Sequence, residues 1–447
     1  MATAIIGGGI TGLVAALRLS AKGERPILFE KGELGGMIKS RVESGFTLEL
    51  GPNVLVERPH IVALMKDLGL SSEVVYPSVD PYGQYVWFRN APRKVPAGFG
   101  ELIRSPLFPL SAKVCLPWQV VRPGVLAARS SDASILDFMS PVIGRQASKA
   151  LLDPVLKGIY GGDVAELSAR TIFPGLWEAG VAGQSVLGWM RSRKNRGKPR
   201  IFVVRGGISR IVAALGERLR DKAEVVAAAV TAVHSSGGRY ELGSSDGRSW
   251  IVDRCLVTTA AGATSGFIGD ISPALAAALP GIERATLTVA HLSVSRDQSL
   301  IKDAFGVLCP GGMPENFLGV MFNSQIFPHV APPDRHLLTV VLGGAQAGDS
   351  PPDEEAIRNR VPGLLESLFG VRDACWIGSC TWRRAIPQLR VGHHALVEQL
   401  DECERSFPGL VFAGVDRGGV GVSDRIRLAE QSVEKLLAAA VSEGHGA

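Results

Sequence analysis

The sequence predicts an α/β fold, and three observations carry that reading. A short apolar strand at residues 4–6 runs into Gly7-Gly8-Gly9, then an amphipathic helix over about 11–22 and a second strand at 26–29. Residues 200–217 again read strand, Gly206-Gly207 turn and helix, and the chain ends on a strand (410–413), a glycine-rich loop (414–421) and a helix over about 423–441. The 447 residues, 46% hydrophobic and 20% charged, suffice for two or three cores at roughly 150 residues per domain. The 53 Gly and 27 Pro follow no period, which excludes collagen-like and low-complexity chains.

Between these units the texture changes. Residues from about 96 to 200 read as Pro-broken helical segments, and 224–259 as short strands, including 239–242 and 255–258. A β-rich stretch follows, with strands expected at 287–294, 318–322 and 337–342. No window approaches about 18 uninterrupted apolar residues, so no membrane span is expected. The best apolar stretch, 114–128, is cut by Pro117 and Pro123 and carries Arg122. A strand starting at Thr3 leaves no room for a leader ahead of it, and a cytoplasmic location is expected.

Charge and cysteines narrow the class further. With 48 Lys+Arg against 43 Asp+Glu, the net +5 suits anionic small molecules or an acidic membrane surface and does not demand nucleic acid. Residues 189–200 hold six positive charges and no negative one, as in a solvated loop or a contact for anionic lipid headgroups. The six cysteines form no C-x-x-C, so they read as reduced thiols with no zinc site. His393 and His394, placed on a strand, would point to opposite faces, and no metal is expected there. Neither G-x-S-x-G nor H-E-x-x-H occurs to argue for hydrolysis.

Gly7-x-Gly9-x-x-Gly12 sits between strand and helix, the context a dinucleotide signature requires. Gly7 allows the tight turn, Gly9 lets a pyrophosphate approach the helix N-terminus at Ile10 and Thr11, and Gly12 lets helix and strand pack closely. Glu30, at the end of the second strand, is placed to accept from ribose hydroxyls. Gly35-Gly36 and Gly51-Pro52-Asn53 stand where a simple nicotinamide enzyme would continue its βαβ alternation. Close glycine approaches there fit a longer, extended cofactor, FAD. The amides opening the last helix, after Gly418-Gly419-Val420-Gly421, add a second positive helix end. No second signature occurs, so electrons are expected from the substrate, leaving to oxygen or another acceptor.

Several blocks make a resemblance specific. They are Asp153-Pro154-Val155-Leu156-Lys157-Gly158-Ile159-Tyr160-Gly161-Gly162-Asp163 with Leu167-Ser168 and Phe173-Pro174; Phe305-Gly306-Val307-Leu308-Cys309-Pro310; Trp382-Arg383-Arg384-Ala385-Ile386-Pro387-Gln388 with Gly392-His393; and Gly419-Val420-Gly421-Val422-Ser423-Asp424. In this order, over nearly the full length, the chain resembles the flavin-dependent protoporphyrinogen/coproporphyrinogen oxidase family of the amine-oxidase-like flavoproteins.

The resemblance implies a Rossmann-like FAD-binding domain built from discontinuous segments (1–80, 201–265, 401–447), a mixed-sheet substrate domain (81–95, 266–400) and a helical membrane-facing insertion (96–200). By position it implies that Gly7, Gly9, Ile10, Thr11, Gly12, Glu30, Gly35, Gly36, Gly51, Pro52, Asn53, Val230, Trp382, Val420, Gly421 and Val422 line FAD. Gly158, Phe305, Leu308 and Val341 would line the porphyrinogen pocket, although on composition alone such apolar residues are more often ordinary core. An arginine that grips a propionate in some members falls at Gln84, leaving Arg89, Arg93 or Lys94 as substitutes.

The implied reaction is the six-electron oxidation of protoporphyrinogen IX to protoporphyrin IX in haem biosynthesis, in three two-electron rounds with oxygen as acceptor. The flavin does the chemistry, and no protein acid, base or nucleophile is assigned. Implied partners are the porphyrinogen, molecular oxygen, ferrochelatase for product handover and the inner face of the plasma membrane, with a homodimer as one assembly. Three readings compete. One is coproporphyrinogen III oxidation, and another is polyamine oxidation or carotenoid desaturation, against which the middle blocks speak. The third is a non-catalytic porphyrin or lipid carrier on the same fold, against which the glycine signature and Glu30 speak.

Overall fold

The computed structural model describes residues 1–79, 83–126, 131–192, 200–348, 353–414 and 417–443. Most of the basic run, the loop residues Val415 and Asp416, the end of the apolar stretch and the last four residues of the chain lie outside these.

The chain opens with β1 (Thr3–Ile6), α1 (Ile10–Ala21) and β2 (Ile27–Phe29), followed by the hairpin β3 (Ser40–Glu43) and β4 (Phe46–Glu49). A second hairpin, β5 (Gly83–Phe88) and β6 (Ala91–Lys94), precedes a run of helices that includes α2 (Leu110–Val121) and α3 (Arg145–Tyr160). Then come α4 (Ser209–Leu219), β7 (Glu224–Val226) and β8 (Arg254–Val257). The long strands follow: β9 (Arg284–Ser295), β10 (Ala304–Leu308), β11 (Phe317–Met321) and β12 (Arg335–Gly344). Helix α5 (Glu354–Phe369), strand β13 (Cys375–Pro387), helix α6 (His393–Ser406), β14 (Leu410–Phe412) and α7 (Val422–Glu443) complete the chain.

Two sheets organise these elements. Strands β7, β2, β1, β8 and β14 form a five-stranded sheet, in that order and all parallel, from three distant stretches of sequence. Parallel strands need both faces covered. One face carries α1, α4 and α7, whose Leu13, Ile211 and Ile426 are fully buried in one cluster. On the other, Phe29, Val257 and Phe412 pack with Val230, Tyr240 and Leu242 of a small antiparallel sheet. The second sheet is mixed and seven-stranded, in the order β13, β9, β12, β11, β10, β5, β6. Helix α5 covers one of its faces through Ile357, Val361 and Leu365, while α3 and the β3–β4 hairpin approach the other.

Two elements differ from the sequence reading. His393 and His394 open helix α6 instead of lying on a strand. His394 Nδ1 stands 3.3 Å from Asp132 Oδ2, whose carboxylate also accepts from the Gly392 N–H, so the histidine pair belongs to a junction with the helical insertion. The thirteen-residue β13 went unread because bulges against β9 shift its phase twice, which breaks the period-2 polarity a strand displays.

Candidate active site

The glycine signature adopts the geometry its chemistry needs. Gly7 has φ +113°, a conformation side chains resist, and any Cβ there would press on Thr258 Oγ1 at 2.7 Å. That hydroxyl donates to the carbonyls of Ile6 and Gly7, fixing the turn from the neighbouring strand. A Cβ on Gly12 would overlap the Gly7 carbonyl oxygen, so strand and helix touch there. Gly9 is the opposite case: a Cβ would meet nothing within 4 Å. It is the N-cap of α1 and no side chain caps the helix, so the first amides are turned toward open space. An anion the size of a pyrophosphate fits this cradle by charge and by room.

Other residues expected at the cofactor converge on the same region. Glu30 lies beside the turn, where its carboxylate accepts from the Gly8 N–H at 2.8 Å and the Gly32 N–H at 2.9 Å. Gly35 bridges to Gly9, its N–H donating to the Gly8 carbonyl, and a Cβ on Gly36 would sit 3.6 Å from Gly9 Cα. Gly51 rests directly on the Met37 carbonyl. Next to it, Asn53 gives its amide N–H to the Gly51 carbonyl, while its buried Oδ1 has no hydrogen-bond partner. A buried acceptor of this kind is costly unless a ligand donor satisfies it, so these residues fit an extended dinucleotide such as FAD.

Distant segments close the cradle. Val422 packs in the same cluster as Ile10, and the Ser423 hydroxyl donates to the Val56 carbonyl at 2.6 Å. Val230 lies with Phe29 in the core beneath the acidic strand end, and Val420 packs against the helical insertion. Trp382 on β13 donates its indole N–H to the Leu50 carbonyl, joining the mixed sheet to the Gly51-Pro52-Asn53 segment. Three contributors escaped the sequence reading. Buried Arg425 donates to the carbonyls of Gly414 and Arg417 and so shapes the loop before α7. Thr258 is the second. The third is Glu49, buried to 7% exposure, which accepts from Ser40 and from the Ile208 N–H at 2.9 Å. Burial raises the Glu49 carboxyl to about 7. An acidic residue just before a Gly-Pro pair was the available signal.

The expected substrate residues are brought together in part. Across the mixed sheet, Cys380, Val289, Val341, Gly319, Leu308, Val86 and Arg93 are direct cross-strand neighbours, one per strand. Neighbours in register share a face. Gly319, at φ +156° beside a bulge, leaves no side chain between Val341 and Leu308, whose strands stand about 10 Å apart. Gly158 on α3 closes over Leu308, since a Cβ there would come within 2.5 Å of Leu308 Cδ2. Phe305 instead packs with Phe46, Leu48 and Phe327 under the β3–β4 hairpin. Gln84 lies opposite Gly306, two residues along from the Leu308 row. Of the proposed substitutes, Arg89 stacks on Phe88, Lys94 faces Glu101 at 3.4 Å, and Arg93 ends the row.

Comparison with known proteins follows the same line. Residues 10–422 match the family described as flavin containing amine oxidoreductase. The chain is 24% identical to protoporphyrinogen oxidase 2, chloroplastic/mitochondrial, of Arabidopsis thaliana, over 95% of this chain and 91% of that protein. It is equally 24% identical to coproporphyrinogen III oxidase of Bacillus subtilis, over 97% of each. A crystal structure from Exiguobacterium sp. 255-15, of a protein whose designation as a protoporphyrinogen oxidase is provisional, superposes with a TM-score of 0.81 at 22% identity, over 97% of this chain and 98% of that one. With the cradle built from these three stretches of sequence, the chain belongs to the flavin containing amine oxidoreductase family and is an FAD-dependent oxidoreductase.

Proposed function

We propose that the protein oxidises protoporphyrinogen IX to protoporphyrin IX in haem biosynthesis, with oxygen as the terminal acceptor. The observation that carries this reading is the glycine-floored gap between Val341 and Leu308, roofed by Gly158, on the sheet face joined to the cofactor segment through Trp382. A bare glycine between two apolar side chains, facing a second glycine on the helix above, offers a flat apolar floor that suits a large, flat ring better than a slender amine. Relatives named for porphyrinogen oxidation, aligned over almost the whole chain, support the same choice.

FAD, when bound, supplies an acceptor for two electrons at a time, so a six-electron oxidation takes three rounds. The residues of the chain hold and orient. The amides opening α1 and the bare Gly9 receive the diphosphate, Glu30 the ribose, and Asn53 Oδ1 a cofactor donor. Val341, Leu308 and Gly158 clamp the ring and exclude water, and Arg93 stands at the end of the row as the carboxylate anchor. The supporting division is a cofactor domain of 1–80, 201–265 and 401–447, a substrate domain of 81–95 and 266–400, and an insertion of 96–200.

A second reading, coproporphyrinogen III oxidation, is favoured by one observation. That substrate carries four carboxylates, and exposed Arg93 and Lys94 stand next to each other on the edge strand at the end of this row. Purified protein in air, given each porphyrinogen in parallel, decides by the growth of porphyrin fluorescence. Faster turnover of the first supports the main reading and faster turnover of the second the alternative. Yellow protein with no turnover of either overturns both, and colourless protein revives a carrier.

Peripheral attachment to an anionic membrane is part of the proposal. Among the described residues no helix is long and apolar enough to cross a bilayer. On α2, however, Leu110, Val114 and Trp118 are 77%, 72% and 67% exposed on one helical stripe, with exposed Arg104 and Arg122 at either end. An apolar stripe with a basic rim is what reversible attachment needs.

A further inference from the structure

A cavity of about 720 Å³ lies on a different flank of α3 from the Gly158–Leu308 contact, within the size range of small-molecule sites. Its apolar wall is Trp87 and Phe88 at the end of β5, with Pro310 just past β10. Trp87 is held in place by Phe369, edge to face at 5.4 Å. The facing wall is a stripe of α3 at positions 145, 149, 153 and 157, one helical turn apart. Gly158 points to Leu308 from the adjoining stripe, so the cavity and the glycine-floored row lie on different flanks of α3.

The charges divide by depth. In the interior, Lys157 is 4% exposed and bonded to Asp153 at 2.7 Å. The second Asp153 oxygen accepts from the Gly311 N–H at 3.1 Å, and Asp163 takes Gln346 at 3.0 Å and Lys157 at 3.8 Å. These groups satisfy one another. At the mouth the balance is positive. Among the described residues exposed Lys149 makes no ion pair, and Arg145 pairs only with Asp137, where both side chains are more than 60% exposed. Such a surface pair contributes less than about 1 kcal/mol and exchanges readily.

We infer that this cavity is a second binding site, for a planar aromatic ring bearing two neighbouring carboxylates, outside the flavin cleft. The ring lies against Phe88 and Pro310, and the carboxylates meet Arg145 and Lys149, which one helical turn sets about 6 Å apart along the axis. In a porphyrinogen oxidase the ligand of that chemistry is the oxidised porphyrin, so the identity of the ring rests on the proposed function. The site would hold product off the flavin while the next substrate enters.

Equilibrium dialysis of the flavin-loaded protein against mesoporphyrin IX, a stable dicarboxylate, tests it. Two porphyrins per flavin are expected. Arg145→Glu with Lys149→Glu should remove one of them by weakening it at least tenfold, and added salt should weaken the same one. Gly158→Leu, which fills the cleft on the flavin side, should leave one porphyrin that still responds to Lys149→Ala. Flavin absorbance reports that each variant is folded. A single porphyrin per flavin, or two that ignore the charge changes, overturns the inference. Charge-sensitive mesoporphyrin binding without turnover of either porphyrinogen sinks the proposed function and leaves the site standing.

Discussion

The Trp382 indole N–H donates to the carbonyl of Leu50, a residue 332 positions earlier in the chain. Through this bond the edge strand of the mixed sheet sets the position of Gly51-Pro52-Asn53, which the Gly51 contact with Met37 ties in turn to the Gly35-Gly36 turn. Trp382→Phe keeps the ring and removes the donor. It should cost about 1 kcal/mol of stability and weaken FAD several-fold, read as earlier flavin release in a thermal ramp. Release at the parent temperature would mean that the bond does not position the cofactor segment.

The phosphate cradle separates folding from binding. Gly9 is the α1 N-cap with no atom near its would-be Cβ, and Asp is a favoured cap. Gly9→Asp should therefore give colourless protein whose flavin-free melting temperature equals or exceeds the parent's. Gly12→Ala, whose methyl overlaps the Gly7 carbonyl, should lower the stability of the flavin-free protein by about 1–3 kcal/mol. Stoichiometric flavin in the first variant would misplace the diphosphate.

Glu49 makes stability fall with rising pH. Its folded pKa, raised by burial to about 7, lies above the ordinary 4.5, so between these values the native state holds a proton that the unfolded chain has released. The contribution declines as pH climbs from about 4.5 to about 7 and levels off above. Glu49→Gln can still accept from the Ile208 N–H and should flatten this dependence. Denaturant titrations at pH 5 and pH 8 check it, and an unchanged slope for the variant would show that another group is responsible.

Arg93 should act on substrate affinity alone. Arg93→Ala is expected to raise KM by roughly five- to twentyfold, as for the loss of one charge-assisted bond of about 1–2 kcal/mol, with kcat within about twofold. The effect should be larger with coproporphyrinogen III if its additional carboxylates also meet this edge. A fall in kcat at constant KM would remove Arg93 from the anchor role.

The α2 stripe sets the membrane prediction. Val114→Glu with Trp118→Glu places two carboxylates on residues that are already exposed, so the fold should be unaffected. Sedimentation with anionic vesicles at low salt should drop at least fivefold. Equal sedimentation of parent and variant would place the contact elsewhere.

Local chemistry determined much of this protein from the sequence alone. The βαβ signature was legible because glycine spacing, an apolar strand and an amphipathic helix all operate within thirty residues, and the helical texture of 96–200 is a matter of local period. Helix α5 is equally local, with its Asp353 cap, Glu354-Glu355 in the first turn and the Gly370 stop. Register is different. That Gly319 floors a gap between Val341 and Leu308, and that Arg93 ends the same row, depends on hydrogen bonding between strands far apart in sequence, and a slip of one residue would turn each side chain to the other face. Likewise Trp382 finds Leu50, and Arg425 the loop before α7, only because the two sheets dock. The sequence by itself determined the cofactor class, whereas the tertiary structure decided which side chains share one face of the mixed sheet, because pairing across a sheet is a non-local choice that no local pattern encodes.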